Sequence, residues 1–532
     1  MEHYGILALV PPFTAILLAF ATKQVLPSLF ISIWAGAAIV NHGNPLAGFA
    51  EMIQHYIAGS IAQPWNAAII TYSLTLGGMI GIISKSGGIK AIADWLAVKA
   101  RTARSGQLVT FVMGLIIFFD DYANTLLVGN TMRPITDRLN ISREKLSYIC
   151  DSTAAPVASM ALISTWTAFE MGLIKSAFDI LNIDINIYKA FLITIPFRFY
   201  SIFTLFFVGA VGFFGRDFGP MYHAEMRARK TGKVIADRAI PLATKELTDM
   251  KIKEGAALRW YNALVPIFSV IVMVIAGLYI HGYREIIAGN DPELVHAVQA
   301  HPFTFSVMRN IIGQADAAVA MMWAAFTGTI VAITMTVSQR LLTLQEAVDA
   351  WIDGAKAIVI AAMILVLAWG MGTLCKDLGT APYIVGILEG RLWVGFIPLM
   401  VFCIGCTIAF ATGTSYGTLA ILMPIAIPLA YHLSGGETAG LLFATIGAVF
   451  TGSVFGDHCS PISDTTIMSS MASASDHIDH VKTQMPYALT VAVIAILFGF
   501  IPAGLGVNPL VSILMGMAAA FGVVRFAGKE VK

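Results

Sequence analysis

Thirteen apolar segments, most of them near the roughly 20 residues that carry a helix across a bilayer, follow one another along this 532-residue chain. They lie near 5–21, 25–40, 66–84, 106–132, 146–174, 192–215, 260–279, 317–337, 357–374, 392–432, 440–471, 486–505 and 510–526. With 57% hydrophobic and 12% charged residues and a mean hydropathy of +0.77, the chain cannot build the polar surface a soluble enzyme needs. It reads as an all-α polytopic membrane protein. The first segment lacks the basic start and small-residue cleavage site of a signal peptide, so it is expected to be a retained helix. A net charge of +1 gives no reason to expect a nucleic-acid partner; membrane lipid is the expected surroundings. The five cysteines fall in or beside apolar segments, which argues against a disulfide framework, and the lone Cys403/Cys406 pair reads as helix packing. No G-x-x-x-x-G-K-[ST] occurs, so ATP is not expected to drive the protein directly, and no cofactor is expected.

The polar interruption, 216–259, carries ten Lys or Arg against six Asp or Glu, which places it in the cytoplasm by the positive-inside rule. The stretches 85–104 and 133–145 hold five and four basic residues and should be cytoplasmic too. Both cannot be if 106–132 crosses the membrane once. A re-entrant hairpin over 106–133, with "DDYANT" at its tip, removes the conflict, and such non-helical backbone is tolerated only where protein or a water-filled cavity surrounds it.

Internal repeats lead to the same segment. "GMIGIISKSGG" (78–88) resembles "WGMGTLCKDLG" (369–379), and "FFDDYANTLLVGNTMRPI" (118–135) follows the pattern of "IAFATGTSYGTLAILMPI" (408–425). "ICDSTAAPVAS" (149–159) aligns with "FGDHCSPIS" (455–463) through Asp151 with Asp457 and Pro156 with Pro461. The expected organisation is a first transmembrane half, 1–215, with hairpin 106–133 and broken helix 146–174. A basic connector, 216–259, leads to a second half, 260–532, with hairpin 392–432 and broken helix 440–471. Inverted repeats with interrupted helices are the architecture of secondary transporters, whose cargo site lies where the repeats meet.

Charges at bilayer depth cost about 3 kcal/mol or more each, so they mark functional sites. Asp120, Asp121, Asp151, Asp457 and Asp464 fall at hairpin tips and helix breaks. Opposing cations look scarce: Arg133 and Lys175 lie at segment ends, and Arg198 is expected to snorkel to an outer surface. Surplus carboxylates without a buried Lys or Arg suit neutralisation by a cation or by protons. Asn124, Thr125, Ser152, Thr153, Thr412, Thr414, Ser415, Ser460, Ser463, Thr465 and Thr466 supply oxygen ligands of the kind hard cations take, with packing between helices as the alternative use of each. Adjacent helical residues diverge by about 100°, so Asp120 and Asp121 cannot both face one point. His458 is either a proton carrier or a packed residue, and Glu170 either a proton relay or the mark of its helix's outer end. "DHIDH" (476–480) reads as a solvated linker. "GTSYG" (413–417) fits G-x-S-x-G, but no strand precedes it and Ser415 is not expected to be a nucleophile. "NIS" (140–142) falls on the cytoplasmic side, where it is no glycosylation acceptor.

"FFDDYANTLLVG", "CDSTAAPVASMALISTW" and "GDHCSPISDTTIMSS" resemble the signature stretches of the NhaC-type sodium/proton antiporter family, within the wider ion transporter superfamily. The resemblance implies an elevator-type carrier, commonly a homodimer, in which Asp120, Asp121, Asn124, Asp151, Asp457, Ser460 and Asp464 inherit the role of candidate cation ligands. Sodium is expected at Asp151 and Asp457. The family name leaves the cargo open, since relatives include malate/lactate exchangers. The expected function is sodium/proton antiport rather than an enzymatic reaction, with a sodium-coupled carrier of an amino acid or organic acid as the second reading. The expected placement is a bacterial cytoplasmic (inner) membrane, with eleven full spans plus the two hairpins, the N-terminus outside and the C-terminus inside.

Overall fold

The computed structural model describes residues 4–22, 24–241, 257–289, 292–388 and 393–531. Among these residues, nine helices are long and apolar enough to cross a membrane, or up to eleven if each of two sharply bent pairs is one span. That count includes both helices of the second hairpin, so it distributes the spans differently from the eleven plus two hairpins read from the sequence.

One bent pair was unexpected. Segment 25–40 reads as a simple span, but the chain turns by 115° after Val40 and runs on as a second helical stretch to Ile61. His42 and Gly43 take positive φ to make the turn. Asn44 then caps Pro45–Glu51 by accepting from the amides of Leu46 and Ala47, with Pro45 pre-set for the first helical position. Gly48 permits the fold-back, because a Cβ there would lie 2.5 Å from the Ala38 backbone.

The first hairpin is helix Ala103–Ile116, a break, and helix Asp121–Arg138. Its two ends meet: a Cβ on Gly106 would lie 2.8 Å from Leu139 and 2.9 Å from Ile141. Asp120 is extended at the tip, and its carboxylate accepts from the Ala123 amide at 2.8 Å to start the second helix. In the second hairpin, Ile397–Thr412 and Ser415–Leu433, Gly405 lies opposite Leu422 at matching distances from the tip. That tip turns on Gly413 at φ +68°, and Thr414 caps the second helix.

Both expected broken helices are interrupted. Arg143–Thr153 stops at Ala154 and resumes as Ala155–Ala158 and then Thr165–Leu181, while Gly440–Cys459 stops at Ser460 and resumes as Asp464–Ser473. Pro156 and Pro461 lack the N–H that would continue a helix through each gap. The pieces pack reciprocally. Thr165–Leu181 lies on Ser415–Leu433 of the second hairpin, and Asp464–Ser473 lies on Asp121–Arg138 of the first. Phe199–Phe214 packs on Gly440–Cys459, and His477–Ile494 packs on Arg143–Thr153.

Helices Pro64–Lys85 and Leu344–Asp377 cross in backbone contact beside this assembly. A Cβ on Gly354 would sit 2.2 Å from the Gly77 carbonyl oxygen, and one on Gly81 2.2 Å from that of Ala350. The described part of the connector is tied down at one end of the bundle. Arg216–Asp217 pairs as a short antiparallel strand with Lys529–Glu530. Buried Lys145 bonds Asp217, which also accepts from the Tyr487 hydroxyl at 2.5 Å. Glu225 accepts from both the amide and the hydroxyl of Ser142, each at 2.7 Å, so the "NIS" serine is sealed inside the protein. The rest of the connector, 242–256, lies outside the described residues.

Gly413 combines a left-handed backbone with a close approach, since a Cβ there would lie 2.5 Å from the Ile462 carbonyl oxygen. Gly413→Ala should therefore cost about 2–4 kcal/mol from the left-handed penalty and overpacking together. Thermal unfolding of the detergent-solubilised protein should show a clear drop in melting temperature, whereas Gly313→Ala, where nothing lies within 4 Å, should show none.

Candidate functional site

The two interruptions of each half converge, and they divide the adjacent carboxylates between two surroundings. Asp120 faces the first broken helix, where the Thr165 hydroxyl donates to it at 3.2 Å and the Thr165 amide donates to the Phe119 carbonyl at 3.1 Å. Its neighbour Asp121, the first residue of the following helix, is buried as well. The doublet therefore spans the start of the helix, with Asp120 extended as its cap and Asp121 its first helical residue, so the roughly 100° spacing expected for two helical neighbours does not apply.

Asp457 is held by the second half. Ser415, in the first turn after the hairpin tip, donates to one carboxylate oxygen at 2.8 Å, and Ser463, which caps Asp464–Ser473, donates to the other at 2.5 Å. Thr466 donates to the Asp457 carbonyl at 3.1 Å, and the Thr465 and Ser463 hydroxyls share a bond at 3.0 Å. Asp464 is the exposed member of the group and accepts from the Tyr122 hydroxyl of the first hairpin at 2.5 Å. Both hairpins are thus bonded to the second broken helix, the first through Tyr122 to Asp464 and the second through Ser415 to Asp457.

Asn124 stands at the junction with the first broken helix. Its amide nitrogen donates among the carbonyls of Gly114, Ile117 and Thr153 at 2.6, 3.0 and 2.9 Å, leaving Oδ1 buried without a partner. A buried amide oxygen left open is the kind of group a hard cation takes as a ligand.

Asp151 lies in different company. One of its oxygens accepts from Gln484 Nε2 at 2.7 Å and lies 3.3 Å from His480 Nε2. Gln484 also donates to the His458 carbonyl. The His458 ring is fixed between the Ser152 hydroxyl at 2.8 Å and the Tyr200 hydroxyl at 2.7 Å. This makes a second polar network, joined to the first through the backbone of Asp457–His458. Other expected ligands have local duties. The hydroxyls of Thr125, Thr153 and Thr412 donate to carbonyls one turn back, and Ser460 braces the Phe410 carbonyl at 2.7 Å. Thr414 accepts from the Gly417 amide as a helix cap.

Two sequence expectations are overturned. Arg198 does not reach an outer surface: it is fully buried, donating to Glu170 at 2.8 Å, to Thr194 at 3.0 Å and to the Ser159 carbonyl. Glu170 and Arg198 neutralise each other, so neither alters the charge of the carboxylate group. "DHIDH" is no solvated linker. Asp476 caps helix His477–Ile494, His477 bonds Ser470 and the Pro461 carbonyl, and His480 is fully buried against Asp151. The i, i+4 spacing of Asp476, His480 and Gln484 was the missed signal, because it puts His480 and Gln484 on one face of a helix. Ser415 has Asp457 beside it but no histidine, since His458 is turned to Ser152 and Tyr200. Among the described residues, no Lys or Arg forms an ion pair with Asp120, Asp121, Asp151, Asp457 or Asp464.

Known proteins resemble this chain in sequence and in fold. A family model described as the Na+/H+ antiporter family matches residues 157–502. An uncharacterized protein of Haemophilus influenzae is 31% identical over 534 residues, covering 98% of this chain and 95% of its own length. The malate-2H(+)/Na(+)-lactate antiporter of Bacillus subtilis is 36% identical over 118 residues, 21% of this chain and 24% of that protein. In three dimensions, the Neisseria gonorrhoeae MtrF structure, described with a class of antimetabolite efflux pumps, superposes with a TM-score of 0.51 at 14% identity. It covers 90% of this chain and 85% of MtrF, a likeness of fold alone.

Proposed function

Because the chain belongs to the Na+/H+ antiporter family, we propose that this multi-pass membrane antiporter exchanges sodium for protons across a cytoplasmic membrane by alternating access. The observation that carries the reading is the set of buried or helix-break carboxylates tied across the two hairpins and the second broken helix by Tyr122–Asp464 and Ser415–Asp457, with no ion-paired Lys or Arg among the described residues. A group with this much negative charge stays at membrane depth only when protons or a cation neutralise it. Sodium and protons then compete for the same oxygens, and the carrier crosses only when one or the other is bound.

Asp121, Asn124, Asp464 and Asp457 are the sodium ligands, assisted by the lone pairs of Ser415 and Thr465. Asp151 already accepts from Gln484 and His480, so in this reading it carries a proton rather than coordinating the ion. Reciprocal packing of broken helices on opposite hairpins supports an inverted repeat with re-entrant hairpins, moving as a unit against the frame of helices Pro64–Lys85 and Leu344–Asp377. The proposal takes the N-terminus as outside, the C-terminus as cytoplasmic and the assembly as a homodimer.

In proteoliposomes with an internal pH dye and no organic solute, a sodium pulse should drive protons the other way, with apparent sodium affinity weakening as pH falls. Silence with sodium alone, followed by a response to an organic solute, would replace the reading with a sodium-coupled solute carrier.

In the same assay Asp457→Asn and Asp151→Asn should each lower exchange at least ~100-fold while the protein still inserts and purifies, because an amide neither releases a proton nor balances a cation. Near-normal exchange in either variant would refute that residue's role.

Cysteines placed at Arg138 and Lys233 should react with an impermeant reagent only from the cytoplasm, and one at Gly289 only from outside. External labelling at position 138 in intact cells would remove the re-entrant hairpin from the proposal.

A further inference from the structure

Asp120 and Tyr122 line a cavity of about 450 Å³ whose opposite wall is the crossing of helices Pro64–Lys85 and Leu344–Asp377. Sodium and protons do not need such a volume; it is within the range of sites for small organic molecules. Gly77, Gly81 and Gly354 bring the two helices into backbone contact at that wall, and Ile80, Ala357 and Ile358 make the rest of it hydrocarbon. Two charged groups of opposite sign stand at different levels. Asp120 is at the inner end: its partner Thr165 lines a crevice together with Ser73 and Ile358. Lys85 is at the rim, at the last turn of its helix. The other rim charge, Asp353, is paired with Lys356 at 2.9 Å, whereas Lys85 has no acidic partner among the described residues.

We propose that this cavity is a solute site for an amino acid whose ammonium group is several bonds from its carboxylate, the ammonium on Asp120 and the carboxylate on Lys85. Asp120 and Lys85 line different walls of the cavity, on the hairpin tip and at the end of helix Pro64–Lys85, so one solute reaches both only if its two charges are separated by a chain rather than borne on one carbon. The hydrocarbon walls accept the methylene chain between the charges, and the Tyr122 hydroxyl, already bonded to Asp464, joins the solute site to the ion site. The inference rests on the proposed reading only in taking the carboxylate group next door as the ion site. It gives the Asp120–Asp121 doublet two jobs, solute on one side and ion on the other.

Isothermal titration of the purified full-length protein with 5-aminopentanoate in sodium-containing buffer should show saturable binding. Its isomer 2-aminopentanoate, together with pentanoate and pentylamine, should bind at least ~10-fold more weakly, since each loses one charge-assisted contact. Lys85→Met should weaken 5-aminopentanoate by a similar factor and Lys85→Arg should largely restore it. Absence of binding, equal binding of an analogue lacking either charge, tighter binding of the α-isomer, or an unchanged Lys85→Met affinity would each overturn the proposal. Sodium-driven proton movement by the unmodified protein without any amino acid tests the ion reading separately, so failure of one leaves the other standing.

Discussion

One amide nitrogen holds the centre of this protein together. The carbonyls of Gly114 and Ile117 at the end of one interrupted helix, and of Thr153 at the end of another, all point at Asn124 Nδ2. Helix ends leave carbonyls without partners, and inside a bilayer no water is at hand to satisfy them. By sharing its two hydrogens among three acceptors, Asn124 lets the first hairpin and the first broken helix stop at the same depth. Everything else at the site depends on those stops: the capping role of Asp120, the inward turn of Asp121, and the open side-chain oxygen left over once the nitrogen is committed.

The buried charges are arranged in two economies. Glu170–Arg198 and Lys145–Asp217 are closed pairs, each able to lose one partner only at a cost of several kcal/mol, and they fix helices to one another. The carboxylates of the hairpin tips and helix breaks are instead held by hydroxyls, amides and a histidine, which position a negative charge without cancelling it. The closed pairs thus fix the framework, while no Lys or Arg among the described residues cancels the carboxylates of the tips and breaks.

Much of this was legible in the sequence because the bilayer imposes strict bookkeeping. The apolar run 106–132 is two helices broken at the acidic doublet, and the paired motifs around Asp151 and Asp457 fall at helix breaks. What hydropathy could not supply was the partner of each charge. Arg198 was placed by its distance from a segment end, although Glu170, 28 positions earlier, holds it in the interior. His480 and Gln484 were hidden because the polar run before them looked like a loop, when Asp476 is in fact the cap that starts their helix. The fold-back at His42–Gly43 escaped for a similar reason: a short polar stretch between apolar segments looks the same whether the chain goes on or doubles back. Nor does the pattern show the partners of Asp120, which are the Ala123 amide and the Thr165 hydroxyl.

The reciprocal covering of one half by the other also sets a timetable. Helix Asp121–Arg138 is covered by Asp464–Ser473, a segment that leaves the ribosome more than 300 residues later. At about 5–20 residues per second, the first hairpin with its acidic tip waits on the order of tens of seconds before its covering helix exists. During that interval Asp120 and Asp121 need water or a chaperoning surface in place of their final neighbours. Biogenesis of the newly made chain is thus most exposed at the residues on which the finished protein most depends.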